Sequence, residues 1–357
     1  MKWMSAETAG ICDWAVRHAE ENGTCRLARL PAEWLGRFPG EMARTAVYPT
    51  GLEIRFRTDA DVLQFAYSFR RAPGAGGQQL AVYTQHAEQE YELRDGEYTE
   101  LAVKPAGKGL RSVRIVLPWK GELTFHGIGV GSEFQYEPEA DDKRPRICFY
   151  GDSITQGSYA GSPLSTYPYL VGKMLNVQTV NHGYGGAGFP DPAMAIHLGR
   201  DVAWDVLCLA IGTNSYGRGL ESGEEYMELF RTFIHTVRRY KPHAPLLCVS
   251  PIWRGNSDGR GESNRRGSQL ADYRRSIEAA VAELQQSDKH LAILDGMTLI
   301  GGPDGLTGDL LHPDDTGMEK IAVGVANCLD RWLHLSGPQY AAEREAGDDG
   351  TRSDTNA

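Results

Sequence analysis

At 357 residues the chain is long for one domain, and 41% hydrophobic with 24% charged residues is the composition of a globular protein with ample core. The formal net charge is −10, and no Lys/Arg block interleaved with aromatics stands out, which argues against a nucleic-acid partner. No apolar stretch approaches the length of a membrane span, and the acidic N-terminal stretch through Gly23 does not read as a signal peptide. The 6 cysteines are widely spaced with no CxxC pair, so they read as reduced thiols of a cytoplasmic protein.

In chain order, residues 5–22 place Ile11, Trp14, Ala15 and His18 at helical spacing and predict one helix. Short, largely alternating β-rich runs follow at 52–57, 62–69, 79–84, 112–117 and 123–130, separated by turn signals such as Asp95-Gly96. Such strands without intervening helices predict a β-sandwich or jelly roll over residues 1–140. No catalytic constellation lies in it. A structural or substrate-shaping role is the first expectation, and carbohydrate binding the second.

The acidic stretch 131–144 reads as a linker into a second domain, 141–337. There, apolar runs at 146–150, 177–181, 206–211, 246–250 and 292–294 alternate with helical patterns at 167–175, 224–240, 270–286 and 315–335. That alternation predicts a parallel sheet covered on both faces, with ligands at the carboxyl ends of its strands. Residues 338–357 are polar and turn-rich, the composition of a disordered tail.

Four of those strand ends or loops carry chemistry. Gly151-Asp152-Ser153 follows the first strand, where a hydroxyl sits beside the N–H groups of a starting helix. Asp152 reads as a local hydrogen-bond organiser. The second loop, after Asn181, offers Gly185 and Gly186, and the third places Asn214 just past its strand. Before the last helix, Asp309 stands three residues ahead of His312, and Pro313 favours a turn returning the carboxylate to the imidazole. These are the parts of an acyl-transfer site: Ser153 attacks, His312 takes its proton, and Asp309 orients the imidazole. The N–H groups of Ser153 and Gly186 and the Asn214 amide point at the oxyanion.

In these four blocks, Gly151-Asp152-Ser153-Ile154, the Gly186 loop, Gly212-Thr213-Asn214 and Asp309-x-x-His312-Pro313, the chain resembles the SGNH hydrolases, or GDSL esterases. The resemblance spans roughly residues 146–335 and implies a flavodoxin-like three-layer α/β/α sandwich, no cofactor or metal, and esters or acetylated sugars as substrates. It selects Gly186 by the count from Asn181 in the family's Asn-x-x-x-x-Gly pattern. The N-terminal all-β region is similar to the accessory domain of bacterial members described as carbohydrate, acetylxylan-type, esterases.

Two look-alikes fail. Residues 183–188 match GxGxxG, but Pro190 and Pro192 stand where a phosphate-binding helix should begin. Residues 255–259 match the GxSxG elbow, yet a Gly/Arg/Asn/Ser loop follows in place of a helix. That loop, 253–267, reads as a lid or substrate wall at the rim, with Trp253 able to stack on a sugar; His182 is a further candidate substrate contact. The expected function is a serine esterase acting on a small-molecule or oligosaccharide ester, most plausibly deacetylating carbohydrate. The alternatives are a lipase- or thioesterase-like hydrolase and a non-catalytic carbohydrate-binding protein. Homo-oligomer formation stays open.

Overall fold

Residues 1–20, 24–38, 40–139 and 142–335 are described by the computed structural model; the tail 338–357 and linker residues 140 and 141 lie outside them. Alternation of apolar and polar residues builds two antiparallel sheets. One contains β1 (Lys2–Met4), β2 (Val16–Ala19), β3 (Cys25–Ala28), β5 (Leu63–Arg71), β8 (Gly96–Val103) and β10 (Gly121–Val130). The other runs β11-β4-β9-β6-β7, with β4 at Glu53–Thr58, β6 at Gln79–Tyr83, β7 at Glu88–Glu92, β9 at Arg111–Val116 and β11 at Tyr136–Pro138. Ile54, Phe56, Val82 and Ile115 of the second sheet share one core with Phe65, Tyr67, Phe125 and Ile128 of the first. This is the expected sandwich.

Its entrance departs from expectation. The helical spacing over 5–22 is overridden by tertiary pairing: Ile11 bridges Ile54, and Cys12 N–H donates to the Glu53 carbonyl. Gly10 adopts φ +78, and a Cβ there would lie 2.0 Å from the Arg55 carbonyl oxygen, so only glycine lets the chain lie against β4. The acidic stretch 131–144 is also more than a linker. Strand β11 lies within it, Tyr136 stacks on Phe56 at 4.5 Å, and Asp142 pairs with Arg55 and Arg144. Helices α1 (Ala32–Leu35) and α2 (Glu41–Ala46) leave the sandwich, and Trp34, Phe38 and Met42 join the core of the second unit. Arg29, buried without a carboxylate, donates to the carbonyls of Tyr48, Thr45, Asn181 and Gly183 across the same junction.

The second unit alternates strand and helix. Its strands are β12 (Arg146–Gly151), β13 (Gln178–Gly183), β14 (Val206–Ala210), β15 (Leu246–Val249) and β16 (Leu291–Leu294), all parallel, in the order β13-β12-β14-β15-β16. Side chains alternate between faces. Ile147, Phe149 and Val206 pack with α4 (Tyr167–Leu175) and α9 (Asp315–Leu335). Cys148, Tyr150 and Leu207 pack with α5 (Pro192–Arg200), α7 (Gly223–Arg238) and α8 (Leu270–Leu284). The order reverses between β12 and β14, which opens the crevice where such sheets bind ligands. Short helices α3 (Ser153–Gln156) and α6 (Thr213–Arg218) start at those two strand ends. No helix among the described residues is long and apolar enough to cross a membrane.

The outer face of the β6–β9 sheet lies against this unit, Ala81 and Val116 packing on Leu164 and Tyr169. All six cysteines are unpaired, five of them buried.

Candidate active site

Strand β12 ends at Gly151 because α3 turns hard across it; a Cβ on Gly151 would lie 2.0 Å from Thr155 Oγ1. Asp152 is the N-cap, its buried carboxylate accepting the Ile154 N–H at 2.8 Å. Burial raises its pKa, against the pull of that N–H, His312 and Arg254. Asp152 is thus the organiser that the sequence suggests. Ser153 follows as the first helical residue, so its N–H has no acceptor within the helix.

Ser153 Oγ lies 2.8 Å from His312 Nε2, and His312 Nδ1 lies 2.6 Å from Asp309 Oδ2. The other Asp309 oxygen accepts the N–H groups of Leu311 and His312, each at 2.9 Å, and the Thr307 hydroxyl at 2.8 Å. Desolvation would raise the Asp309 pKa, but those hydrogen bonds and the imidazole outweigh it and hold it at about 2. A carboxylate bonded in this way requires Nδ1 to carry the hydrogen, which leaves Nε2 free to accept from Ser153. The turn is tight. Leu310 takes φ +55, a conformation uncommon for a side chain larger than Asn, and is held by its N–H to Thr307 and its carbonyl to Gly255.

The oxyanion side is built by exclusion. Gly185 N–H is occupied by Gln156 Oε1 at 2.8 Å, whereas Gly186 N–H has no hydrogen-bond acceptor among the described residues. Gly186 takes φ +74, and its carbonyl accepts from Arg218 at 2.9 Å. Asn214 stands inside α6, one residue past the helix start, rather than in an open loop. Its Oδ1 accepts Gly188 N–H at 2.9 Å, which fixes the amide so that Nδ2 is the outward donor. Ser153 N–H, Gly186 N–H and Asn214 Nδ2 are therefore the three uncommitted donors around the hydroxyl.

Gln156, buried one turn behind Ser153, was not singled out by the sequence. Its Nε2 donates to the Trp119 carbonyl of the sandwich at 3.0 Å while its Oε1 holds Gly185, so the β-region is wired to the oxyanion loop. Tyr159, also missed, stacks on the His312 ring with centroids 4.3 Å apart, and Lys120 Nζ of the sandwich lies 4.6 Å from its ring centroid. Gln156 does fall within the GDSITQG block; nothing in the sequence singled out Tyr159 or Lys120, whose roles depend on contacts between distant segments.

One expected contact fails. His182 is buried, its Nδ1 2.6 Å from the Tyr184 hydroxyl and its ring 5.6 Å from that of His197. Burial, then His197 and Arg29, hold its pKa well below the usual imidazole value, so it is a neutral core histidine out of reach of substrate. Trp253 is half-buried and packs over Gly259 of its own loop, where a Cβ would lie 3.1 Å from the ring, while an aromatic stacked on the triad is Tyr159. The 253–267 loop is fastened rather than free: Asp258 pairs with Arg274, Arg266 with Glu225, and Asn264 bonds Tyr273. Ser257 of the GxSxG match is buried and accepts the Leu270 N–H at 3.0 Å.

The GxGxxG match fails for a different reason from the one expected. Helix α5 does begin at Pro192, with Asp191 as its N-cap, because proline at the first helical position gives up only an N–H that has no partner there. What excludes a dinucleotide reading is close packing: a Cβ on Gly183 would lie 2.2 Å from Gln156 N, and one on Gly188 2.7 Å from Asp152 N. Those glycines bring the loop against the serine's own helix.

Residues 149–320, which contain every element of this constellation, match the GDSL-like Lipase/Acylhydrolase family. The α/β unit is a GDSL-like acylhydrolase domain. The match over residues 149–320 supports an enzyme that hydrolyses esters. Similar solved structures reproduce both units of the acylhydrolase. A salicylyl-acyltransferase from a tetracycline biosynthetic pathway is 22% identical, with a TM-score of 0.82 over 91% of this chain and 95% of its own. A Bacteroides ovatus protein described as a GDSL-like lipase is 21% identical, with a TM-score of 0.75 over 93% and 98%. A family two carbohydrate esterase from Cellvibrio japonicus is 17% identical, with a TM-score of 0.64 over 93% and 98%. At these identities the likeness is one of fold. No curated protein matches the sequence.

Proposed function

We propose that Ser153 is the nucleophile of an esterase that removes acetyl groups from carbohydrate through an acyl-enzyme. Oγ bonds to the ester carbonyl carbon as its proton passes to His312 Nε2. The oxyanion meets the N–H groups of Ser153 and Gly186 and the Asn214 amide, and Asp309 stabilises the imidazolium. Collapse breaks the bond to the alcohol oxygen, which takes the proton from His312. Water, deprotonated by His312, then attacks the acyl carbon, and Ser153 leaves with its proton restored while acetate departs.

The observation that carries this reading is the unbroken run Ser153–His312–Asp309 at 2.8 and 2.6 Å, beside donors that bind nothing among the described residues. The carbohydrate part draws on the fold shared with carbohydrate esterases, including an acetyl xylan esterase from Butyrivibrio proteoclasticus with a TM-score of 0.56. The test is acetate release from acetylated xylo-oligosaccharides, alongside p-nitrophenyl acetate and a longer-chain ester, comparing wild type with Ser153→Ala. Release from the sugar that falls at least about 10⁴-fold in the variant is the expected result. Preference for the long chain would instead favour a lipase- or thioesterase-like enzyme. Folded protein without Ser153-dependent hydrolysis of any ester would overturn the assignment.

A further inference from the structure

Three cations from three different elements stand around the triad without a role in the esterase chemistry. Lys120, between β9 and β10, is half-buried with its Nζ 4.6 Å from the Tyr159 ring centroid. Arg218, at the end of α6, reaches the Gly186 carbonyl and lies over Phe189 at 5.7 Å. Arg254, after β15, lies over Tyr216 at 5.2 Å, and its Nη1 would be 2.9 Å from a Cβ on Gly217. Among the described residues none of the three makes an ion pair. The chain as a whole has a net charge of −10, so this gathering of cations is not a property of its average surface, although Asp152, Asp309 and Glu262 act on Arg254.

Lys120 is the most telling. An ammonium withdrawn from water is unfavourable unless an anion meets it. Burial pushes its pKa down, and Arg44 nearby adds to the push. Among the described residues its side chain meets the face of Tyr159, the ring that stacks on His312. His312 hands its proton to the departing oxygen, whereas the oxyanion lies toward Gly186 and Asn214. A ring stacked on His312 therefore borders the departing alcohol, not the acyl group.

We infer that Tyr159 and Lys120 form a leaving-group subsite for an alcohol bearing an anionic group, a carboxylate or a phosphate, with Arg218 and Arg254 adding to the positive field at the mouth. The placement of the alcohol rests on the esterase reading of Ser153. Tyr159, held between His312 and Lys120, presents an exposed edge to the alcohol, and Lys120 supplies the counter-charge. The sandwich thus contributes a specificity determinant to the other unit's site.

The experiment compares three O-acetylated probes: methyl glucoside, methyl glucuronoside and glucose 6-phosphate. Each is tested with wild type, Lys120→Met and Lys120→Arg at low and high salt. The expected result is that at least one charged probe exceeds the neutral one in kcat/KM by about tenfold at low salt, the scale of one charge-assisted contact. The advantage should shrink with salt, collapse in Lys120→Met and survive largely in Lys120→Arg. Which charged probe wins identifies carboxylate or phosphate. Equal use of charged and neutral esters by wild type, or a charge preference that persists in Lys120→Met, would overturn the inference while leaving the esterase intact. Calorimetric binding of the deacetylated probes to Ser153→Ala reads the subsite without catalysis. Lys120-dependent binding of a charged probe by protein that hydrolyses no ester would retain the subsite and reject the esterase; no preference in binding would reject the subsite.

Discussion

The two units of this chain bury polar groups to opposite ends. In the sandwich, interior charge is largely closed off: Glu53 is paired with Arg55 and Arg114, and Arg111, though its Nε has no partner among the described residues, donates to the carbonyls of Thr58, Gly109, Ala60 and Pro105. In the acylhydrolase domain, the polar groups at the ends of β12, β13 and β14 are satisfied on one side only. Asp152 and Asn214 each use one partner to hold position, Gln156 is held at both ends of its amide, and among the described residues the donors beside them stay open. Polar groups that saturate one another add rigidity; donors held rigidly and left unsaturated can stabilise charge that appears during a reaction. The difference locates the reacting centre without reference to any ligand.

The sharpest way to break the comparison is at Asp309. Asp309→Asn should keep the fold yet lower kcat by about 10⁴-fold, because an amide in that position favours the wrong imidazole tautomer. The same variant tests the pH behaviour. With a folded pKa of about 2 against an ordinary 3.8, the Asp309 carboxylate adds stability that is fully present above 3.8 and is lost as pH falls through about 2. Acid-unfolding curves of Asp309→Asn should therefore be flatter than wild type between those values; identical curves would show that the carboxylate is not held as described.

On the sandwich side, Glu53→Gln should lower stability by about 3 kcal/mol, since it leaves the half-buried Arg114 without this counter-ion and the buried Arg55 with Asp142 alone. Denaturant melts would show it, with kcat at 25 °C nearly unchanged. A large loss of kcat at constant stability would refute the division of labour. Asn214→Ala should cost about 10²-fold or more in kcat with little change in KM or melting temperature, because its exposed donor serves only the transition state. A rise in KM alone would move Asn214 from the oxyanion to ground-state binding.

The smallest effect is expected where the two units meet. Gln156→Leu removes both the Trp119 and Gly185 hydrogen bonds and should destabilise by about 1–3 kcal/mol. It should also lower kcat more than it raises KM, as the Gly186 loop loses its anchor. Gln156→Glu retains the acceptor for Gly185 and should recover part of kcat but not the link to Trp119. If both variants behave as wild type in kcat, the β-region does not support the oxyanion loop.

Much of this was readable in the chain, for physical reasons that differ by segment. The parallel strands are buried on both faces and so appear as unbroken apolar runs, and the long helices α7, α8 and α9 carry their own 3.6-residue pattern. The reacting groups lie at the ends of those elements, so locating the strands located Ser153, Asn214 and the Asp309–His312 turn. Within that turn the geometry is local, three residues and one strained Leu310, and local geometry can be read from local sequence.

What tertiary structure decided are the matters with no local signature. Residues 5–22 carry helical spacing, yet pairing of Ile11 with Ile54 and the close approach of Gly10 to Arg55 hold the described part, 5–20, as turns and the strand Val16–Ala19. Pro192 reads equally as a breaker or as a first helical residue, and only the Asp191 cap chooses. Whether His182 or Tyr159 meets substrate depends on which packs inward, and the choice between Gly185 and Gly186 on where Gln156 spends its amide. Trp119 and Lys120 enter the site from a unit that, read alone, has no chemistry. Sequence by itself determined the proposed reacting groups, because they are set by backbone turns a few residues long. Packing between distant segments decided what surrounds them, because a contact between residues 120 and 159 leaves no periodicity in either neighbourhood.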